Sequence, residues 1–385
     1  MNEKNIIYLD YQATTPLRPE VLKAMMPYFK EKYGNPHSNN HSLGKDANLA
    51  VEKAKKNIAS LINCEPEEII LTSGATESNN FAIKSIAESY GKEKIQIITL
   101  NTEHKCVIES CNFLEKRGYL VHYLEVEKNG IVNFSKLEKL IKEKMSLVSI
   151  MHVNNEIGVI QPVNEIGKLC KKYRGLFHTD AAQTFSCLNI DVKKNNIDAL
   201  SLSAHKIYGP KGIGALYINA KIKNIVRPLI DGGGQQNGLR SGTIATPLAV
   251  GFGEASLQIK KRLKKNFNYY KMLSNFFIHE LKKNKIKFNI NGDLKKRSPV
   301  NLNIAFLEVE ANQLINFLPE TAISTGSACT SGNIEKSHVL TALKIENSII
   351  DSSIRISFGE NTKKTDLTKI AKYINTAIKK IKNLQ

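Results

Sequence analysis

Hydrophobic positions along this chain recur with two alternating periods. Ala47, Ala50, Val51, Ala54, Ile58, Leu61 and Ile62 stand at offsets 0, 3, 4, 7, 11, 14 and 15, the spacing that lines one face of a helix. Short apolar runs follow at Ile69–Leu71, Ile95–Leu100, Leu120–Leu124, Leu147–Val153, Leu176–His178, Leu200–Ser203 and Ala215–Ile218. Helical spacing fills most of the gaps, near Glu77–Ser89, Lys105–Lys116, Ser135–Lys144 and Val163–Tyr173. Strands and helices alternating this often predict an α/β fold with a mostly parallel, seven-stranded sheet between helices.

The pattern changes after about residue 245. Pro247–Leu281 predicts one or two long helices, and Asn301–Phe306 and Ile354–Ser357 predict strands on either side of a Gly/Ser/Thr-rich loop. The last stretch places Leu367, Ile370, Ala371, Ile374, Ala377, Ile378, Ile381 and Leu384 on one helical face. This terminal helix is expected to pack on a smaller domain rather than lie on a membrane. The expected organisation is a large α/β domain over residues 15–255 and a small α+β domain from residues 1–14 and 256–385.

Composition narrows the class without naming a function. The 385 residues are 42% hydrophobic and 24% charged, a globular balance that excludes disorder and collagen-like repeats. No apolar run approaches the ~20 residues a membrane span needs, and the polar start of the chain is unlike a secretory signal. The net charge of +19 invites a nucleic-acid reading. The lysines are dispersed, however, and no aromatic residues interleave with clusters such as Lys260–Lys265, so direct nucleic-acid binding is not expected. Six cysteines (Cys64, Cys106, Cys111, Cys170, Cys187 and Cys329) form no CxxC pair and no zinc spacing with histidine. Scattered thiols of this kind predict a reducing, cytoplasmic location and no intrinsic metal.

The chemistry concentrates in a few segments. Ser203-Ala204-His205-Lys206 leaves a predicted strand and enters the glycine-rich turn Gly209-Pro210-Lys211-Gly212. Asp180, 26 residues earlier, stands just beyond another strand. A lysine that forms a Schiff base and an acid that holds a pyridine nitrogen protonated are what pyridoxal phosphate requires. Thr72-Ser73-Gly74-Ala75-Thr76 joins a strand to a helix start, where free N–H groups and the helix dipole suit a phosphate.

The ordered motifs resemble those of NifS/IscS-type cysteine desulfurases, class-V members of the fold-type-I pyridoxal-phosphate enzymes. They run from Tyr8-Leu9-Asp10-Tyr11-Gln12-Ala13-Thr14-Thr15-Pro16 through Gly34-Asn35-Pro36-His37-Ser38, Thr102-Glu103-His104 and Asn154-Asn155-Glu156-Ile157-Gly158. They continue through His178–Gln183, Ser203–Lys206, Arg240-Ser241-Gly242-Thr243 and Gly326-Ser327-Ala328-Cys329-Thr330-Ser331-Gly332. The resemblance implies that Lys206 carries the cofactor and moves protons at the substrate Cα, that Asp180 pairs with the pyridinium, and that His104 stacks on the ring. Gln183 and Asn155 would reach the ring oxygen. Ala75, Thr76, Ser203 and His205 would hold the phosphate, joined by Thr243 from the second subunit of a homodimer. Arg355, Asn155 and Asn35 would bind the carboxylate end of L-cysteine.

Cys329 resembles the family's nucleophile. Its small, polar, glycine-bounded surroundings are those of a loop that exposes its thiol; His104 is the candidate acceptor of its proton, and Cys329 is at most a transient iron–sulfur ligand. The implied reaction gives alanine and a persulfide for an iron–sulfur scaffold or a tRNA-thiolation enzyme. A selenocysteine lyase and a non-catalytic scaffold are the competing readings, and the complete Lys206, Asp180 and Cys329 set argues against the second. Gly234-Gln235-Gln236-Asn237-Gly238 departs from the family pattern, which puts the local dimer-interface packing in question.

Overall fold

The computed structural model of the protein describes residues 6–325 and 336–384. A two-residue strand, β1 (Ile7–Tyr8), comes first. Seven strands then build one sheet: β2 (Ile69–Thr72), β3 (Gln96–Leu100), β4 (Val121–Leu124), β5 (Ser146–Ser149), β6 (Leu176–Asp180), β7 (Ala199–Ser203) and β8 (Gly214–Ile218). Across the sheet their order is β2-β8-β7-β6-β5-β3-β4. Only β8 runs antiparallel to its neighbours β2 and β7; the other pairings are parallel. The seven-stranded, mostly parallel sheet read from the apolar runs is therefore present.

Burial explains why those runs are continuous rather than alternating. Every residue of β3, β5, β6, β7 and β8 is buried, as expected for strands covered on both faces by crossover helices. The edge strand β4 is half-buried over Val121–Tyr123. The helix Ser42–Ile62 shows how the flanking layer forms. His41 caps it, its Nδ1 accepting from the Gly44 N–H at 3.1 Å, and Asn63 ends it in the left-handed region at φ 62°. Its buried face, Ala47 through Ile62, is the predicted one and packs against the helix Thr246–Lys260. A Cβ on Gly253 of that partner would come within 2.5 Å of the Ala54 Cα, so only glycine permits this approach.

Three further strands, β9 (Phe288–Ile290), β10 (Asn301–Phe306) and, beyond the short β11 (Thr321–Ala322), β12 (Ser353–Ser357), complete the described chain. β10 lies between β9 and β12 in an antiparallel sheet, and β11 pairs in parallel with β1. A second hydrophobic core joins this sheet to the helices Leu263–Lys283 and Lys364–Lys382 and takes in Leu9 from the start of the chain. The stretch expected as one or two helices is two, Thr246–Lys260 and Leu263–Lys283. The terminal helix buries its predicted face from Leu367 to Ile381. Leu384 departs from that face: it follows the helix end at Lys382 and is exposed.

The parallel strands share one C-terminal edge, the usual position of a ligand site in an open α/β sheet. The segments leaving β2, β3, β6 and β7 carry Gly74–Thr76, His104, Asp180 and Lys206 to that edge.

Candidate active site

Lys206 ends a single 3₁₀ turn, Ala204–Lys206, directly after β7. Its half-buried amine donates to the Gln12 carbonyl and, at 2.7 Å, to that of Ala13. The segment that supplies those carbonyls is laced to the lysine turn by the Thr15 N–H on the His205 carbonyl, 2.9 Å, and the Tyr208 N–H on the Thr15 hydroxyl, 2.8 Å. Burial, reinforced by the Arg355 guanidinium, pulls the Lys206 ammonium down to about 8, against the opposing pull of Asp10 and Asp180. A neutral amine is thus accessible near neutral pH.

Asp180 closes β6 with its carboxylate buried. Oδ1 accepts from the Ala182 N–H at 2.9 Å, and Oδ2 accepts from the Asn79 amide at 2.6 Å. Asn79 comes from the helix Ala75–Tyr90, whose N-terminus faces the same edge. The N-cap there, Gly74, provides no side-chain cap, and a Cβ added to it would meet nothing within 4 Å. That leaves the first helical N–H groups and an open space in front of them. Gly214 on β8 lets the turn sit close: a Cβ there would lie 2.7 Å from the Gly74 Cα.

Ser203 is buried at the end of β7, and His205 makes a 3.1 Å contact from Nδ1 to the Thr14 hydroxyl. Burial, with the nearby Lys206 and Lys211 charges, lowers the His205 imidazole to about 4, so it is neutral at physiological pH. His104 caps the helix Lys105–Glu115, its Nδ1 accepting from the Cys106 N–H at 3.2 Å. Desolvation also moves His104 below the ordinary imidazole range. The Gln183 amide donates to the Gln12 carbonyl at 3.1 Å.

Arg355 reaches this edge from β12 and is buried. Its Nη2 pairs with Asp10 at 2.8 Å and its Nη1 donates to the Asn155 carbonyl at 2.9 Å. The Arg355 Nε and the Asn155 side-chain oxygen are both buried without a hydrogen-bond partner among the described residues. An unsatisfied donor and acceptor beside a lysine and a carboxylate fit a small zwitterionic ligand, because such groups are costly to bury unpaired.

Two predicted positions are not gathered here. Asn35 and Thr243 are exposed, and Asn35 bonds locally to the His37 N–H at 3.0 Å. The segment before Thr243 docks on the phosphate-side helix, where Arg240 holds Glu77 with two bonds of 2.9 and 3.3 Å. Cys329 lies outside the described residues. The residues on either side of that gap are tied to the site: Ser324 exchanges backbone hydrogen bonds with Arg355 at 2.6 and 3.3 Å, and the Ser337 hydroxyl donates to Glu156 at 2.5 Å. His338 Nε2 lies 2.9 Å from the Glu103 carbonyl oxygen. Asp10, Asn79, Glu156 and His338 were not singled out by sequence reasoning. Asp10 and Glu156 lay inside the ordered motifs and Asn79 in the helical stretch Glu77–Ser89, whereas His338 carried no signal beyond its position after the glycine-rich loop.

Residues 7–370 match the aminotransferase class-V family, and the chain belongs to it. Among curated relatives it is 49% identical over 379 residues to the cysteine desulfurase IscS of Ehrlichia chaffeensis, an alignment covering 98% of this chain and 92% of that protein. The cysteine desulfurase IscS of Rickettsia bellii is 47% identical over 378 residues, with the same coverage. Among solved structures, a NifS-like protein superposes with a TM-score of 0.90 at 36% identity, over 97% of this chain and 99% of that one. A structure described as SspA in complex with cysteine gives a TM-score of 0.80 at 38% identity, over 91% and 98%.

Proposed function

We propose that this chain is a cysteine desulfurase that removes sulfur from L-cysteine, releases L-alanine and holds the sulfur as a persulfide on Cys329. The observation that carries the reading is the meeting, at one sheet edge, of the Lys206 amine, the Asp180 carboxylate and the open helix N-terminus at Gly74–Thr76. That donor set fits pyridoxal phosphate, which supplies, when bound, a ring that withdraws electrons from bonds at the substrate Cα.

Each residue then has a task. The N–H groups at Ala75 and Thr76, with the Thr76 hydroxyl, Ser203 and neutral His205, hold the phosphate, and Thr243 joins them from the second subunit of a homodimer. Asp180, fixed by Asn79 and the Ala182 N–H, keeps a proton on the ring nitrogen. Gln183 and Asn155 contact the ring oxygen, and His104 stacks on the ring. Arg355 takes the substrate carboxylate, with Asn155 beside it, as guanidinium and carboxylate match in charge and shape. Lys206, whose pKa lowered to about 8 leaves a fraction of the amine neutral near neutral pH, accepts the Cα proton and returns one later.

The Cys329 thiolate attacks the substrate Sγ. An S–S bond forms, the Cβ–Sγ bond breaks, and its electron pair stays with the carbon skeleton, which is protonated to alanine. No external oxidant or reductant is required. The persulfide passes to a sulfur-acceptor protein, an iron–sulfur scaffold or a tRNA-thiolation enzyme, in the cytoplasm. The division into residues 15–255 and residues 1–14 with 256–385 is supported by the cluster around Leu302 and Ile374, which draws mainly on the second part, whereas the largest cluster also takes in Tyr11, Val339, Leu340 and Ile350 from that part. Among the described residues no helix is long and apolar enough to cross a membrane. Purified holoenzyme given L-cysteine and a thiol reductant should release alanine and sulfide in equal amounts, and Cys329→Ser should release neither. Turnover that survives Cys329→Ser would move the nucleophile elsewhere.

A further inference from the structure

The cysteine two residues after His104 is tied to that histidine and to Asp180 at once. The Asn79 amide donates from one nitrogen to the Asp180 Oδ2 at 2.6 Å and to the Cys106 Sγ at 3.2 Å. Cys106 Sγ in turn lies 3.0 Å from His104 Nδ1. With the sulfur already accepting from Asn79 and from the Thr76 hydroxyl, its own hydrogen points at Nδ1. The thiol keeps that hydrogen, because burial and the neighbouring Asp180 charge push Cys106 up to about 12. The Cys106 backbone N–H also donates to Nδ1, at 3.2 Å. Both donors converge on one lone pair in a three-centre arrangement. A proton on Nδ1 would face both of those hydrogens.

We infer that Cys106 is a positioning residue that, together with its own N–H and Asn79, locks neutral His104 in the tautomer protonated at Nε2. Nε2 makes no hydrogen bond among the described residues. In this tautomer His104 offers the site a hydrogen-bond donor, and its one basic nitrogen is occupied. The proton of Cys329 must therefore leave by another route than His104 Nε2. The mechanical consequence is a continuous link, Asp180–Asn79–Cys106–His104, between two groups assigned to the cofactor. The inference rests on the proposed desulfurase reading only for what Nε2 faces; the tautomer itself does not depend on it.

The charged and titratable groups around the ring are Asp180 at the end of β6, Lys206 after β7, His338 from the helix His338–Ala342, and Cys106 itself. Hydrogen bonds to the neutral form disfavour the charged one. Removing the thiol should therefore raise the proton affinity of His104. Cys106→Ala takes the side-chain donor away, whereas Cys106→Ser keeps one.

The test is nitrogen-15 NMR of the full-length holoenzyme with labelled histidine, the His104 signals being assigned by their loss in His104→Gln. The parent protein should show an unprotonated Nδ1 and a protonated Nε2. Cys106→Ser should retain that pattern. Cys106→Ala should show a growing Nδ1-protonated population and a titration displaced upward. Circular dichroism checks that each variant is folded, and Cys106→Ser carries the test if Cys106→Ala is not. A parent spectrum with the proton on Nδ1, or a Cys106→Ala spectrum identical to the parent, overturns the inference. Sulfide release from L-cysteine is measured separately on the same samples, so that failure of the activity and failure of the tautomer assignment are told apart.

Discussion

The two sheets are built under opposite demands. In the seven-stranded sheet every strand but the edge strand β4 is buried throughout, yet the C-terminal edge gathers a lysine, an aspartate and histidines, with a glutamate, Glu103, sealed wholly behind them. Burial raises the Glu103 carboxyl well above its ordinary value. The three-stranded sheet instead closes over an apolar core of Leu302, Ile304, Phe306, Ile354 and Ile356, and sends one charged side chain, Arg355, across to the other. One region accepts costly electrostatics to make chemistry, and the other supplies the packing that holds a single guanidinium still. Substitutions in the two regions should therefore separate cleanly into losses of rate and losses of stability.

The largest separation is at Lys206. Lys206→Ala should abolish turnover of cysteine, a loss of at least several orders of magnitude, with a melting temperature no lower than the parent when both are free of cofactor. Its stability signature has a definite sign. The folded-state pKa is lowered from 10.5 to about 8, so between those values the unfolded chain binds more protons than the folded one. The destabilisation from the buried ammonium is thus fully present below about pH 8 and is relieved as the pH rises toward 10.5. Denaturant midpoints of cofactor-free parent minus those of Lys206→Met should climb over that window. A flat difference would mean that the amine is not held in a desolvating site.

The second core answers in the opposite way. Ile374 is fully buried on the terminal helix, and Ile374→Ala should cost about 2–5 kcal/mol from lost burial and the cavity left behind. The turnover per folded active site should stay within twofold of the parent. Arg355 tests the join between the regions. Arg355→Lys keeps the charge but loses the fork that spans Asp10 and the Asn155 carbonyl. It should lower kcat/KM for cysteine by roughly tenfold or more, chiefly through KM, while moving the unfolding midpoint little. Equal losses in an Ile374→Ala enzyme corrected for folded fraction would erase the distinction between the two regions.

How legible these regions were depended on range in the chain. The strands of the large sheet could be read because each is a continuous apolar run bounded by helix signals, and the terminal helix because its face repeats for five turns. The strand Thr321–Ala322, which pairs with the start of the chain, could not, since a two-residue strand carries no period. Leu384 was misplaced because periodicity does not mark where a helix stops. Lys206 and Asp180 were found through ordered motifs and Arg355 through the family resemblance alone, yet the Asp10–Arg355 pair joins residues separated by 345 positions and leaves no local trace. Cys106 read as one more small hydrophobe. Its link to His104 and Asn79 is a matter of three-dimensional placement alone.

The smallest expected effect concerns the glycine-rich segment that departs from the family pattern. Gln236 is clamped on the edge strand β2: its amide oxygen accepts from the Leu71 N–H at 2.7 Å, and its amide nitrogen donates to the Leu71 carbonyl at 2.9 Å. The opposite side of β2 is already paired with β8, so Gln236 supplies what another strand would otherwise supply and closes the outer edge of the sheet. Gln236 sits at φ 52°, a conformation that costs alanine about as much as glutamine. Gln236→Ala thus isolates the side-chain bonds, whereas Gln236→Gly would also relieve the backbone. Leu71 is buried, so Gln236→Ala leaves its N–H and C=O unpaired and should cost about 1–3 kcal/mol. Gln236→Glu should cost more, because a carboxylate oxygen would then face the Leu71 carbonyl. Thermal unfolding midpoints of the three variants, with cysteine turnover as the control, check this ranking. Alanine and glutamate variants as stable as the parent would show that the clamp is idle, and a collapse of turnover with alanine would place Gln236 in the site region rather than in the scaffold.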